Sequence, residues 1–205
     1  MHRNVSQPMM RASSLLFWRQ YLRRPLGVGA IAPSSTGLAR AMVEALGATA
    51  GDMVVELGPG TGVFTKQLLA AGVARDRLIL IESDRGFAGF LRKAFKGVAV
   101  INGNARRLPD ILAERGCSHV SRILSGLPLR SMALEMRTDI ARAVSQSLKP
   151  GGRFVQFTYF IAPPLPDAPA AEFRIERAGL VLANLPPAFI WRYVKRGGAG
   201  DGAVA

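Results

Sequence analysis

Val54-Val55-Glu56-Leu57-Gly58-Pro59-Gly60-Thr61-Gly62 is the stretch that decides how this chain folds. A short, mostly apolar run passes directly into three glycines at alternate positions. That is the pattern of a buried strand turning tightly into a helix. The next apolar run, Leu78-Ile79-Leu80-Ile81, ends on an acid, Glu82. Strand, glycine turn, helix and a following acid make the nucleotide-ribose layout of a doubly wound α/β domain.

Outward from this stretch the alternation continues. Strands are predicted over 53–57, 78–81, 98–102, 122–124 and 153–159, and helices over 62–71, 86–95, 108–115 and 134–148. Lys149-Pro150-Gly151-Gly152 is a stop and turn before the fifth strand. Two further strands are expected over 180–183 and 189–194, joined by Asn184-Leu185-Pro186-Pro187, and 161–169 is read as a proline-rich loop. Ser35 or Thr36 is placed to cap a helix that runs to about Leu46. The expected architecture is therefore a Rossmann-like, mostly parallel sheet of about seven strands with helices on both faces. An amphipathic N-terminal helix over 15–24 precedes it and ends at Pro25. The expected organisation is 1–35 as a membrane or substrate-covering helix and loop, 36–196 as the α/β domain, and 197–205 as a disordered tail.

Composition limits the partners. The 205 residues carry 27 Lys and Arg against 14 Asp and Glu, a formal charge of +13, which draws the chain to polyanions, either nucleic acid or an acidic membrane surface. A merely solvated basic surface is the plainer reading. One cysteine excludes an intrachain disulfide, and with two histidines it leaves too few ligands for a structural zinc. No metal is expected. No apolar run reaches the ~20 residues that span a bilayer, and the N-terminus lacks a secretory pattern. The expected location is cytoplasmic, at the inner face of the membrane.

Gly58, Gly60 and Gly62 let backbone approach a ligand without Cβ clashes. Val63 and Phe64 stand where a dinucleotide fingerprint has its third glycine, and Glu56 just before the turn suits a cationic group. These features favour S-adenosylmethionine, which carries an amino acid end, over a dinucleotide. Glu82 can accept both ribose hydroxyls. Asn104, after the third strand, either meets the adenine through its amide or is an ordinary turn asparagine.

On these residues the chain resembles the small bacterial phospholipid N-methyltransferases, which carry phosphatidylethanolamine toward phosphatidylcholine with S-adenosylmethionine. The likeness spans 15–196. It rests on the basic-aromatic N-terminal helix, Gly29-Ala30-Ile31-Ala32-Pro33-Ser34-Ser35, Val54 to Gly62, Ser125-Gly126-Leu127-Pro128-Leu129, and Gly151-Gly152-Arg153-Phe154-Val155-Gln156-Phe157-Thr158-Tyr159. The resemblance implies that Glu56, Gly58, Gly60 and Gly62 line the methionine end and that Glu82, with Ser83, takes the ribose. It puts Asn104 and Ala105 at the adenine, Ser34 and Ser35 over the carboxylate, and Ser125 in the same cofactor set. Relatives usually have aspartate where Asn104 stands.

Under that resemblance Tyr21 and Tyr159 are candidate catalytic residues on the headgroup side, where their rings favour a cationic amine; ordinary packing is the other reading. Trp18, Arg19, Arg23 and Arg24 are expected to meet the membrane and the lipid phosphates, each basic residue adding about 1 kcal/mol near an anionic surface. The expected partners are a phospholipid substrate and an anionic membrane, with no nucleic acid and no obligate protein. Two alternatives stand beside this. One is ribosomal RNA adenine N-methylation, whose enzymes carry Asn-Leu-Pro-Tyr where this chain has Gly126-Leu127-Pro128-Leu129. The other is a non-catalytic membrane-binding protein.

Overall fold

Alternation along each central strand sorts the core into two layers. Val54, Leu78, Leu80, Leu124 and Val155 pack on one side, and Val55, Ile79, Ile81, Ile123 and Phe154 on the other. Strands buried on both faces need helices above and below. In the computed structural model, which describes residues 32–165, 172–184 and 186–197, the chain builds that three-layer arrangement.

The elements are α1 (Ala32–Leu46), β1 (Val54–Leu57), α2 (Val63–Ala70), β2 (Leu78–Glu82), α3 (Arg85–Ala94), β3 (Ala99–Asn102), α4 (Leu108–Ala113), β4 (Val120–Ser125), α5 (Leu134–Ser147), β5 (Leu148–Thr158), β6 (Phe173–Val181) and β7 (Ala188–Lys195). The sheet order is β3-β2-β1-β4-β5-β7-β6. The first five strands pair in parallel, and β7 runs antiparallel between β5 and β6. One core joins α1, α2 and α3 to the sheet; the other joins α4 and α5.

The predicted class and all seven strands are present, with three shifts. First, α1 includes Ser34 and Ser35, which were expected at or before its start; Pro33 is tolerated there because first-turn amides need no partner. Second, Leu148 already pairs with Val120, so β5 begins before the glycine turn. That turn survives as an irregularity within the strand, where a Cβ on Gly152 would lie 2.7 Å from Lys149 O. Third, β6 begins at Phe173, well before the expected 180. The predicted helix over 15–24, with Trp18, Arg19, Tyr21, Arg23 and Arg24, lies outside the described residues, as does nearly all of the tail. Among the described residues no helix is long and apolar enough to cross a membrane.

Candidate functional site

β1 and β4 are neighbours, yet β1 leads on to β2 at one side of the sheet and β4 to β5 at the other. Their carboxyl ends therefore open a crevice, the place where doubly wound sheets bind ligands. The glycine turn forms its floor. Gly58, Gly60 and Gly62 take φ of 66°, 54° and 78°, a left-handed conformation that other residues adopt only with strain. A Cβ on Gly58 would stand 2.6 Å from Leu127 Cδ2, and one on Gly62 2.5 Å from Phe95 Cε2.

Glu82 organises this floor. Its Oε2 accepts from the Gly60 amide (3.0 Å) and its Oε1 from the Asp84 amide (2.8 Å). The carboxylate is buried. It fixes the turn of β1 to the end of β2, while each oxygen keeps a second lone pair for a ligand hydroxyl. Asn102 Nδ2 donates to the carbonyls of Glu82 (2.9 Å) and Ser83 (3.1 Å), which draws the end of β3 alongside. Asn104 Oδ1 accepts from the Arg106 amide at 3.0 Å, so its oxygen closes a turn and its amide nitrogen is the group left to face a ligand. Ala105, next to it, is buried.

Glu56 is fully buried. Thr65 Oγ1, from the first turn of α2, donates to Oε2 at 2.6 Å, and Oε1 has no partner. Burial pushes its carboxyl up to about 8, with Glu82 adding to the rise while the Thr65 hydrogen bond opposes it. An unmatched buried carboxylate oxygen beside a glycine floor suits a cationic ligand group.

The loop after β4 forms the other wall. Ser125 Oγ accepts from the Leu127 amide (3.2 Å), and Gln156 Nε2, from the adjacent β5, donates to Leu127 O (3.0 Å). Gly126 has no spare room: a Cβ there would lie 2.8 Å from Gly58 O and 3.3 Å from Phe64 Cε2. Leu129 is buried in the core. Phe64 meets Phe157 at 6.0 Å between ring centroids, and Phe157 meets Tyr159 edge-on at 5.6 Å. Tyr159 therefore sits at the carboxyl edge, at the end of an aromatic row that starts in α2. His119 precedes β4 at the opposite edge and is exposed.

The structure thus brings together Glu56, Gly58, Gly60, Gly62, Glu82, Ser83, Asn104, Ala105, Ser125 and Tyr159 around one edge of the sheet. Ser34 and Ser35 lie in the first turn of α1; Tyr21 is outside the described residues. Sequence reasoning assigned no role to Thr65, Gln156, Phe64 or Leu127. Thr65 was open to detection, because a hydroxyl in the first turn after the glycines lies opposite the acid that precedes them.

Comparison with known proteins places this geometry. The chain is 38% identical over 147 residues to the ornithine lipid N-methyltransferase of Singulisphaera acidiphila, covering 70% of this chain and 76% of that one. The chain belongs to the family of that enzyme, within the S-adenosylmethionine-dependent class I methyltransferases. The ribosomal RNA adenine dimethylase family profile also matches, over residues 34–106. The ribosomal RNA small subunit methyltransferase A of Myxococcus xanthus is 36% identical over 111 residues, 51% of this chain; the chain spans only 38% of that protein. The solved structure of the Burkholderia thailandensis 1,6-didemethyltoxoflavin-N1-methyltransferase, which holds S-adenosylhomocysteine, superposes with a TM-score of 0.66 at 14% identity, covering 96% of this chain and 94% of that one. That likeness is one of fold.

The crevice fits S-adenosylmethionine: an orphaned carboxylate oxygen for an ammonium, a second carboxylate beyond it, and a floor that excludes Cβ atoms. The comparisons support the coarser part of the likeness drawn from sequence. They support a class I methyltransferase related to lipid- and RNA-modifying enzymes, and they do not single out phosphatidylethanolamine.

Proposed function

We propose that this methyltransferase N-methylates a primary amine in the headgroup of an amine-bearing lipid at the membrane surface. Phosphatidylethanolamine and an ornithine-type lipid both present that group. The carrying observation is the loop after β4. A match over 70% of a 205-residue chain, wherever it begins, includes that loop, so the likeness to the lipid enzyme extends into the substrate side. The RNA dimethylase profile covers 34–106 and ends before it, while the Myxococcus xanthus RNA enzyme matches over 111 residues, 51% of this chain.

S-adenosylmethionine supplies an electrophilic methyl on a sulfonium. The substrate amine must give up its ammonium proton, to water, a backbone carbonyl or a tyrosine oxygen, before its lone pair can take that methyl, the sulfur keeping the carbon–sulfur electron pair. The chain's part is chiefly alignment and electrostatics. Glu56 holds the cationic amino acid end and Glu82 the ribose, with Ser83 beside it. Asn104 and Ala105 border the adenine, and Ser34 and Ser35 the carboxylate. Gln156 and Ser125 fix the Leu127 wall against which the headgroup stands. Tyr159 offers the amine an aromatic face and an oxygen on the headgroup side; Tyr21 is assigned the same side.

Ribosomal RNA adenine methylation is the second reading, favoured by the profile match and the RNA-modifying relative. Both readings share the cofactor half. Against RNA stands the wall: Gly126 leaves no space for an amine-gripping asparagine, and Leu129 is buried where a flipped base needs a stacking surface. The test is transfer of a labelled methyl group to lipid vesicles and to undermethylated ribosomal RNA, with Tyr159→Phe as a probe of the hydroxyl. Label in lipid supports the proposal; label in RNA alone overturns it.

A further inference from the structure

Large apolar side chains left in water are unevenly placed in this molecule. Among the described residues the exposed ones are Phe90, Leu134, Met136, Phe160, Ile161, Leu180 and Leu182. All but Phe90 leave the fold at one edge. Phe160 and Ile161 follow the carboxyl end of β5. Leu134 and Met136 lie in the first turn of α5, which the chain enters from the carboxyl end of β4. Leu180 lies near the end of β6 and Leu182 in the β6–β7 turn, and Thr158↔Phe189 and Leu180↔Phe189 pairing puts that turn beside the same end of β5. This is the edge that carries the glycine floor and Tyr159. Ile161 is 71% exposed and Leu182 72%, so these residues do not reach a core.

The surface is held in shape. Arg130 lies over the Phe160 ring at 5.1 Å. Arg137 Nη1 donates to Pro164 O at 3.5 Å, and the Leu165 amide donates to Tyr193 Oη at 3.1 Å, which ties the loop after β5 to α5 and β7. Basic residues share this edge: Lys66, Arg85 and Arg130, on the segments after β1, β2 and β4, are exposed, and among the described residues none of the three stands in an ion pair. An apolar centre with basic neighbours, in a chain of formal charge +13, has the chemistry of an interfacial anchor on anionic lipid.

We infer that this carboxyl-edge face, centred on Phe160, Ile161 and Leu182, docks on an anionic bilayer and sets the mouth of the crevice against the lipid headgroups. The inference rests on the lipid reading proposed above and adds a contact separate from residues 15–24. Docking presents the amine to the crevice without withdrawing the lipid from its leaflet.

The test compares the full chain with Ile161→Ser/Leu182→Ser and with Arg130→Glu in sedimentation with vesicles of phosphatidylglycerol and phosphatidylethanolamine. Calorimetric affinity for S-adenosylmethionine serves as the control for folding. The double variant is expected to bind vesicles at least about tenfold more weakly, since each lost apolar side chain withdraws several buried carbons, with cofactor affinity unchanged. Arg130→Glu should weaken binding at low salt and much less at high salt. Vesicle binding equal to wild type in the double variant overturns the inference. So does a shift from dimer to monomer in that variant without loss of vesicle binding, which would assign the face to a second copy of the chain. If vesicle binding falls as expected but no label enters lipid, the docking face stands and the substrate reading fails.

Discussion

Glu56 is a buried acid with one matched oxygen and one orphan, and its chemistry follows from that imbalance. Folding raises its carboxyl from the ordinary 4.5 to about 8. Between those values the folded chain holds a proton that the unfolded chain has lost, so stability of the cofactor-free protein falls as pH rises through that window. Glu56→Gln should flatten this slope, measured as the thermal midpoint on either side of the window. Near neutral pH, binding of the cofactor's ammonium end should expel about one proton from Glu56. Calorimetry in buffers of different ionisation enthalpy reads that proton, and Glu56→Gln should abolish it. Glu82 has a different task, since two backbone amides already depend on it. Glu82→Ala should weaken S-adenosylmethionine binding by about 1 kcal/mol or more and lower stability by ~1–3 kcal/mol. A calorimetric affinity equal to wild type would remove Glu82 from the ribose. Gly126→Asn, which restores the RNA-enzyme residue, should destabilise by ~1–3 kcal/mol in denaturant titration, because Gly58 O blocks its Cβ. The acid and glycines were legible in the sequence because a turn with left-handed φ admits few other residues. Gln156, recognised only as part of a motif, was given no role because its partner Leu127 is distant along the chain, whereas Thr65, nine residues from Glu56, was within reach of the sequence reading.

At the scale of elements, α1 is fastened at its C-terminus by three arginines from three adjoining strands. Arg192 Nη1 donates to Ala45 O (3.2 Å), Arg153 Nη1 to Leu46 O (3.3 Å) and Arg122 Nε to Gly47 O (3.4 Å). The last carbonyls of a helix lack intrahelical donors and carry partial negative charge, so cations there both satisfy and stabilise them. Asp52 pairs with Arg122 at 3.6 Å and Glu176 with Arg192, which spreads the positive charge. Arg192→Met should cost about 1–3 kcal/mol by leaving a carbonyl and Glu176 without their donor, and should raise amide exchange in α1 before that in β1. An unchanged midpoint and exchange pattern would show that the helix is held by packing alone. Sequence patterning located β1, β2, β4 and the later part of β5 because their apolar runs are buried, and β3, a half-buried edge strand, through its apolar run Ala99-Val100-Ile101. β6 escaped over Phe173 to Gly179, where Arg174, Glu176 and Arg177 mix with apolar residues on an edge strand and the register shifts between Arg177 and Gly179. The early part of β5 escaped because Gly151 and Gly152 read as a terminus, whereas Leu148 was already paired.

For the whole molecule, the two halves of the site were legible to different degrees. The proposed cofactor half lies mainly on contiguous motifs of β1, β2 and β3, whose backbone geometry demands particular residues. The substrate half is assembled from loops far apart in the chain, as where Arg130 meets Phe160 and Gln156 meets Leu127. Spacing in the sequence carries little of that, so the sequence reading of phosphatidylethanolamine came from resemblance and proved narrower than the comparisons support. The charge of +13 fits either polyanion; the apolar carboxyl edge favours lipid. The most direct measurement is transfer of a labelled methyl group from S-adenosylmethionine by the full chain, offered anionic vesicles bearing phosphatidylethanolamine or an ornithine-type lipid and, separately, undermethylated ribosomal RNA. Label in the amine-bearing lipid is the predicted result. Label confined to RNA, or found in neither, would contradict lipid N-methylation.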